Sequence, residues 1–131
     1  MPKFVDIKTP YSAPTLKGVL RNIRYTRACV RDSLLRGEVP FASHLFYTQT
    51  GILDDNLPDE RQRGIMAGKA IIERLGAITA VYTDLGTSKG MEIGIELAKK
   101  SGRTIEYRRL GKEWARKFLR QEEKHSQHRI W

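Results

Sequence analysis

Thr87 and Ser88 stand between an apolar run (Ala77, Ile78, Ala80, Val81) and a strongly helical pattern that starts just beyond them. A hydroxyl at such a junction accepts a hydrogen bond from a free N–H group in the first helical turn. Gly86 and Gly90 on either side let a ligand approach the backbone. Strand, small-residue turn and helix N-terminus together make an anion site suited to phosphate or ribose, although the same pattern also caps helices that bind nothing. Asp84 follows the strand directly and could meet a ribose hydroxyl. The chain has no G-x-G-x-x-G run, so the usual dinucleotide site is not supported.

Other segments carry further chemistry-bearing side chains. Tyr11 and Ser12 lie between Pro10 and Pro14, which stiffen their loop into either a preformed contact or a plain turn. His44 follows a second apolar segment and could titrate near neutrality. It could orient a base, donate to a phosphate, or simply pack. Glu92 and Glu96 fall four apart in the helical stretch and share one face, where Glu96 could pair with Lys99 or Lys100. His125 and His128 have no companion set of Cys or carboxylates, so no metal site is expected there.

The elements that must position these groups are legible from periodicity. Strands are predicted at residues 4–7, 39–42, 77–83 and 104–107. Helices are predicted at 15–36, 45–50, 59–75, 88–101 and 110–123, with a frayed tail from Lys124. Gly37 and Gly102 read as helix stops and Asp59 as an N-cap. Gly64, Ala67 and Gly68 imply that another element approaches the third of these helices closely. Strands alternating with helices predict an α/β, three-layer Rossmann-like fold. Its parallel sheet of four to five strands is covered on both faces, and a C-terminal helix follows. Ligands in such sheets bind at the carboxyl ends of strands. Loops 9–14, 42–44 and 83–90 leave those ends, each with hydroxyl or imidazole groups.

At 131 residues the chain is expected to be one domain, at 1–109, with a basic helix and tail at 110–131. Its net charge of +9 is uneven. Residues 1–40 carry 8 basic and 3 acidic side chains, residues 41–100 carry 7 and 8, and residues 101–131 carry 9 and 4. The basic ends could attract nucleic acid or an anionic nucleotide, or be a solvated surface. Aromatic and basic residues do not interleave as in single-strand binders. The sequence has no 18-residue apolar run and no signal-like N-terminus, and its one cysteine, Cys29, cannot form an internal disulfide. A cytoplasmic protein without membrane association is expected. Cys29 falls in a helical pattern with Ile23, Thr26 and Val30 and is expected in the core.

Four segments then combine into a resemblance. They are Pro10-Tyr11-Ser12-Ala13-Pro14, Pro40-Phe41-Ala42-Ser43-His44-Leu45, Glu60-Arg61 with Gly64 and Gly68, and Ser88-Lys89-Gly90-Met91 leading into residues 94–98. In this order, over residues 4–109, the chain resembles the nucleoside 2-deoxyribosyltransferase-like superfamily, particularly its small phage and bacterial members of unassigned function. The resemblance implies a homodimer or larger homo-oligomer and a nucleoside or nucleotide ligand. It also implies cleavage or exchange of an N-glycosidic bond without metal or organic cofactor. Such cleavage passes through an oxocarbenium-like sugar, so a carboxylate must face the anomeric carbon. A second acid helps the base leave. Enzymes of the superfamily carry the nucleophilic Glu four residues before the Ala at position 98; here that position is Gly94. Their Asp late in the middle helix has no counterpart either. Glu96 or Glu92 would then be the catalytic carboxylate. Tyr11, Ser12, His44, Asp84, Thr87, Ser88, Gly90 and Met91 would hold the substrate. Two functions follow: an N-glycosidase or deoxyribosyltransferase, or a nucleotide-binding or sensing accessory protein without turnover.

Overall fold

A computed structural model describes residues 2–114 and 116–117. The elements run β1 (Phe4–Lys8), α1 (Leu16–Leu35), β2 (Val39–Phe41), α2 (Ser43–Phe46), α3 (Pro58–Leu75), β3 (Ile78–Tyr82), α4 (Lys89–Lys100) and β4 (Ile105–Arg108). The sheet has four strands in the order β2-β1-β3-β4, all parallel. Helices cover both of its faces, so the chain adopts the expected three-layer Rossmann-like fold with the smaller of the two expected strand counts. Of the helix expected at 110–123, residues 110–114, 116 and 117 are described, and helix begins only at Trp114, not at Leu110; the other half, and the whole tail with His125 and His128, fall outside the described residues.

Local chemistry explains most boundaries. Ser88 caps α4 by accepting the Met91 N–H at 3.2 Å. Gly76 ends α3 in the left-handed region, at φ 60°, which glycine enters without steric cost. Two expectations need correction. Asp59 is not the cap of α3: Leu57 holds that place and Pro58 starts the helix. Proline lacks the N–H that a cap would serve, which suits the first helical position. Asp59 and Glu60 sit in the first turn, where the helix dipole favours carboxylates. The short helix expected at 45–50 instead begins at Ser43, immediately after β2, because the Ala42 carbonyl accepts from Leu45 and Phe46.

Alternation along β1 sorts its side chains. Val5 and Ile7 pack with Tyr25 and Cys29 of α1 and with Ala80 and Tyr82 of β3. Val81 turns the other way, onto Met91 and Ile95 of α4. Asp6 and Lys8 alternate with Val5 and Ile7, so they share the α3/α4 side with Val81. On the α1 side, Arg108 at the end of β4 donates to both oxygens of Glu38 at 2.8 and 2.7 Å. Ser33 adds a third hydrogen bond to that carboxylate at 2.7 Å. The Arg108 guanidinium thereby holds Glu38 at about 2, below its ordinary 4.5, against the opposing effect of burial. Among the described residues, no helix is long and apolar enough to cross a membrane.

Candidate functional site

A cavity of about 400 Å³ opens at the carboxyl edge of β1, between α3 and α4. This is the topological switch point: β1 connects through α1 to β2 on one side and pairs with β3 on the other. Asp6, Lys8 and Thr9 come from β1 and its exit. One wall is α3, with Arg61, Gly64, Gly68 and Ile72; the other is α4, with Met91, Gly94 and Leu97. A second cavity, of about 700 Å³, shares Tyr11, Ser12, Thr48, Leu53, Asp55 and Glu60 with the first.

Glycines bring the walls close. A Cβ at Gly68 would lie 2.6 Å from both Cβ and Oγ of Ser43, so α2 rests directly on α3, as the small residues there imply. Gly94 makes room for something different. A Cβ there would lie 2.8 Å from Lys8 Cε, 3.1 Å from its Nζ and 3.3 Å from its Cδ. The arm of Lys8 therefore lies across α4 at the point where a side chain is missing. Its ammonium is 3.4 Å from Asp6 Oδ2, and Asp6 is 1% exposed. Thr79 also donates toward Asp6, at a long 3.5 Å.

Of the residues singled out in the sequence, Tyr11, Ser12, His44, Ser88, Gly90 and Met91 line this cavity together. Four do not. Glu92 and Glu96 are exposed, outside the lining, and Glu96 pairs with Lys99 at 3.5 Å. The buried stripe of α4 is Met91, Ile95 and Ala98; each glutamate is one residue further along, about 100° round the helix. Thr87 is exposed and outside the lining, since Ser88 takes the capping role. Asp84 is engaged elsewhere. It accepts from the Tyr25 hydroxyl at 2.6 Å and from the backbone N–H groups of Leu110 at 2.9 Å and Gly111 at 3.0 Å. Burial pushes its carboxyl up, but these hydrogen bonds outweigh burial and leave it lowered. Asp84 thus ties the β3–α4 loop to the segment after β4.

His44 does not titrate near neutrality. Burial, helped by the charge of Lys8, lowers it to about 4, so the ring is neutral at ordinary pH. Its Nε2 lies 2.7 Å from Thr9 Oγ1, and Tyr11 stands edge-on to the ring at 6.4 Å between centroids. Arg61 bonds Asp55 at 2.9 Å, and a Cβ at Gly90 would lie 3.9 Å from its Nη2. The guanidinium therefore sits beside the first turn of α4. There the N–H groups of Lys89 and Gly90 have no acceptor within the helix. Among the described residues, no group of three or more His, Cys, Asp or Glu could hold a metal ion.

Sequence reading missed Asp6, Lys8 and Arg61 as site residues. One signal was present. A central parallel strand covered on both faces should be nearly all apolar. Charges at alternate positions of β1, Asp6 and Lys8, mark a polar cavity on one face.

Fold and cleft together define a small doubly wound α/β domain with a cation-bearing crevice at its switch point. The chain belongs to the DUF7768 family, described as a domain of unknown function, whose model matches residues 3–108. That stretch runs from just before β1 to the end of β4. No curated protein matches the chain.

Proposed function

We propose that the domain binds a phosphorylated nucleoside in this cleft and does not cleave its glycosidic bond. The carrying observation is the arm of Lys8 lying against Gly94. Where the resembling enzymes present a carboxylate to the sugar, this chain presents an ammonium. A cation there cannot act as the glycosidic nucleophile or stabilise an oxocarbenium ion. It suits an anionic ligand, as do Arg61, Lys89 and the first turn of α4. A cytoplasmic setting fits the buried, free Cys29.

Calorimetry with a panel of nucleoside monophosphates and the corresponding nucleosides tests this reading. Monophosphates are expected to bind wild type more tightly than nucleosides, and Lys8→Met to lose most of that advantage. Equal affinity for nucleoside and monophosphate, or no binding by either, would remove it. Turnover is a second reading, kept because Asp6 supplies a buried carboxylate to the lining. Chromatography of the same mixtures decides it: free base released by wild type and abolished in Asp6→Asn would establish an N-glycosidase.

A further inference from the structure

Two buried threonine hydroxyls and one backbone carbonyl determine which nitrogen of His44 carries the proton. Thr26 Oγ1 donates to the Asn22 carbonyl at 2.8 Å, which uses its only hydrogen. Toward Thr9 Oγ1, at 2.6 Å, Thr26 can then only accept, so Thr9 is the donor. Thr9 has spent its own hydrogen and must accept at 2.7 Å from His44 Nε2–H. The relay therefore runs from imidazole to backbone carbonyl in one direction. Thr9, Thr26 and Asn22 are at most 5% exposed, so water does not compete for these bonds.

Nδ1 is left as an acceptor, without a hydrogen bond among the described residues, on a ring that lines the cavity. The charged groups of the same lining come from every wall: Asp6 and Lys8 from β1, Asp55 from the segment before α3, where it pairs with Arg61, Glu60, Arg61 and Lys69 from α3, and Lys89 from α4. The cations among them suit a phosphate. Nδ1 does not suit the dianion of a phosphate ester, whose oxygens carry no hydrogen above a pKa of about 6, since two acceptors repel; it needs a ligand group that carries a hydrogen.

We propose that His44, locked as its Nε2–H tautomer, accepts a hydrogen bond from a sugar hydroxyl and so selects phosphorylated sugars over a phosphate ester that lacks the sugar. This rests on the phosphorylated-ligand reading above. It predicts a neutral recognition group beside the charged side chains of the pocket, unlike a histidine that clamps phosphate as a cation.

The test uses the full chain and two probes at about pH 8.5, ribose 5-phosphate and methyl phosphate, both dianions there with no hydrogen on the phosphate. Long-range proton–nitrogen spectra of the free protein at neutral pH are expected to show Nε2 protonated and Nδ1 bare. Ribose 5-phosphate should move the Nδ1 resonance, and methyl phosphate should not. By calorimetry His44→Phe should weaken ribose 5-phosphate about 10-fold, the scale of one lost hydrogen bond, and leave methyl phosphate unchanged. Thr9→Val removes the acceptor for Nε2–H and should yield mixed tautomers with reduced selectivity. An Nδ1–H or charged ring in the free protein overturns the proposal without any ligand. Binding of ribose 5-phosphate with an unmoved Nδ1 resonance overturns the role of His44 alone. Failure of both probes to bind takes down the phosphorylated-ligand reading, and this role with it.

Discussion

Replacing Gly94 with alanine separates folding from binding at the cleft. The new methyl would stand 2.8 Å from Lys8 Cε, which is too close to tolerate, but the obstruction is the far end of a flexible side chain. The arm should swing away and carry its ammonium from the 3.4 Å contact with Asp6. For folding, two effects oppose each other. Alanine stabilises a helix interior by about 1 kcal/mol over glycine. Leaving Asp6 without its cation costs a comparable or somewhat larger amount, since a buried carboxylate is poorly solvated. The net change should lie within about 2 kcal/mol, a Tm shift of less than about 10 °C for a domain of this size. Ligand affinity has no such compensation. Loss of one charge-assisted contact costs about 1.5–3 kcal/mol, roughly a 10- to 100-fold weaker Kd. Differential scanning calorimetry and titration calorimetry with a nucleoside monophosphate read both quantities. An unchanged Kd, with the Lys8 amine resonance showing that the arm has moved, would refute the role given to the ammonium. A much larger fall in Tm would show that the arm cannot yield and that Gly94 is purely a packing requirement.

Other predictions follow the same geometry. Gly68→Ala sets a methyl 2.6 Å from the Ser43 Cβ, which cannot rotate away, so α2 must lift from α3. Urea denaturation should show a loss of about 1–3 kcal/mol, and no loss would mean that α2 is loosely held. Arg108→Met leaves Glu38, 9% exposed, without its bidentate partner. A loss of about 3–5 kcal/mol is expected, read as a fall in the urea midpoint, and a change under about 1 kcal/mol would show that water reaches the site. Stability should also fall with acid in two stages. His44 sits at about 4, below its ordinary 6.5, so the unfolded chain takes up the proton first. Its contribution is complete above about 6.5 and is lost as pH drops toward 4. Glu38, at about 2 against 4.5, contributes above 4.5 and loses that contribution as pH falls through 2. Each gap corresponds to at most about 3 kcal/mol. Urea midpoints that are flat between pH 7 and 4.5, or that His44→Phe leaves with the same slope, would contradict the first stage.

Much of the architecture was legible because its causes are local. Hydroxyl capping at Ser88, the left-handed glycines Gly37 and Gly102 after α1 and α4, and the apolar periods of the strands and helices act within a few residues of themselves. Alternation of strand and helix then constrained the sheet to be parallel, since parallel neighbours need crossovers. The rim of the cleft was legible for the same reason: strand exits gather at one edge, and Tyr11, His44 and Ser88 come from three of them. Its chemistry was not. On α4 the sequence shows two glutamates and a glycine, but only packing against β1 decides that the glycine faces inward and the glutamates face water. Asp84 looked like a ribose ligand until Tyr25 and the segment after β4 claimed its oxygens. The protonation of His44 depends on Thr9 and Thr26, which lie far from it along the chain. Sequence alone therefore determined the secondary elements, their alternation and the edge where a ligand would sit. Tertiary structure decided which charged side chains enter the cleft and the direction of its hydrogen bonds. Capping and periodicity are short-range, whereas charge compensation and proton placement depend on whichever distant groups the fold brings within a few ångströms.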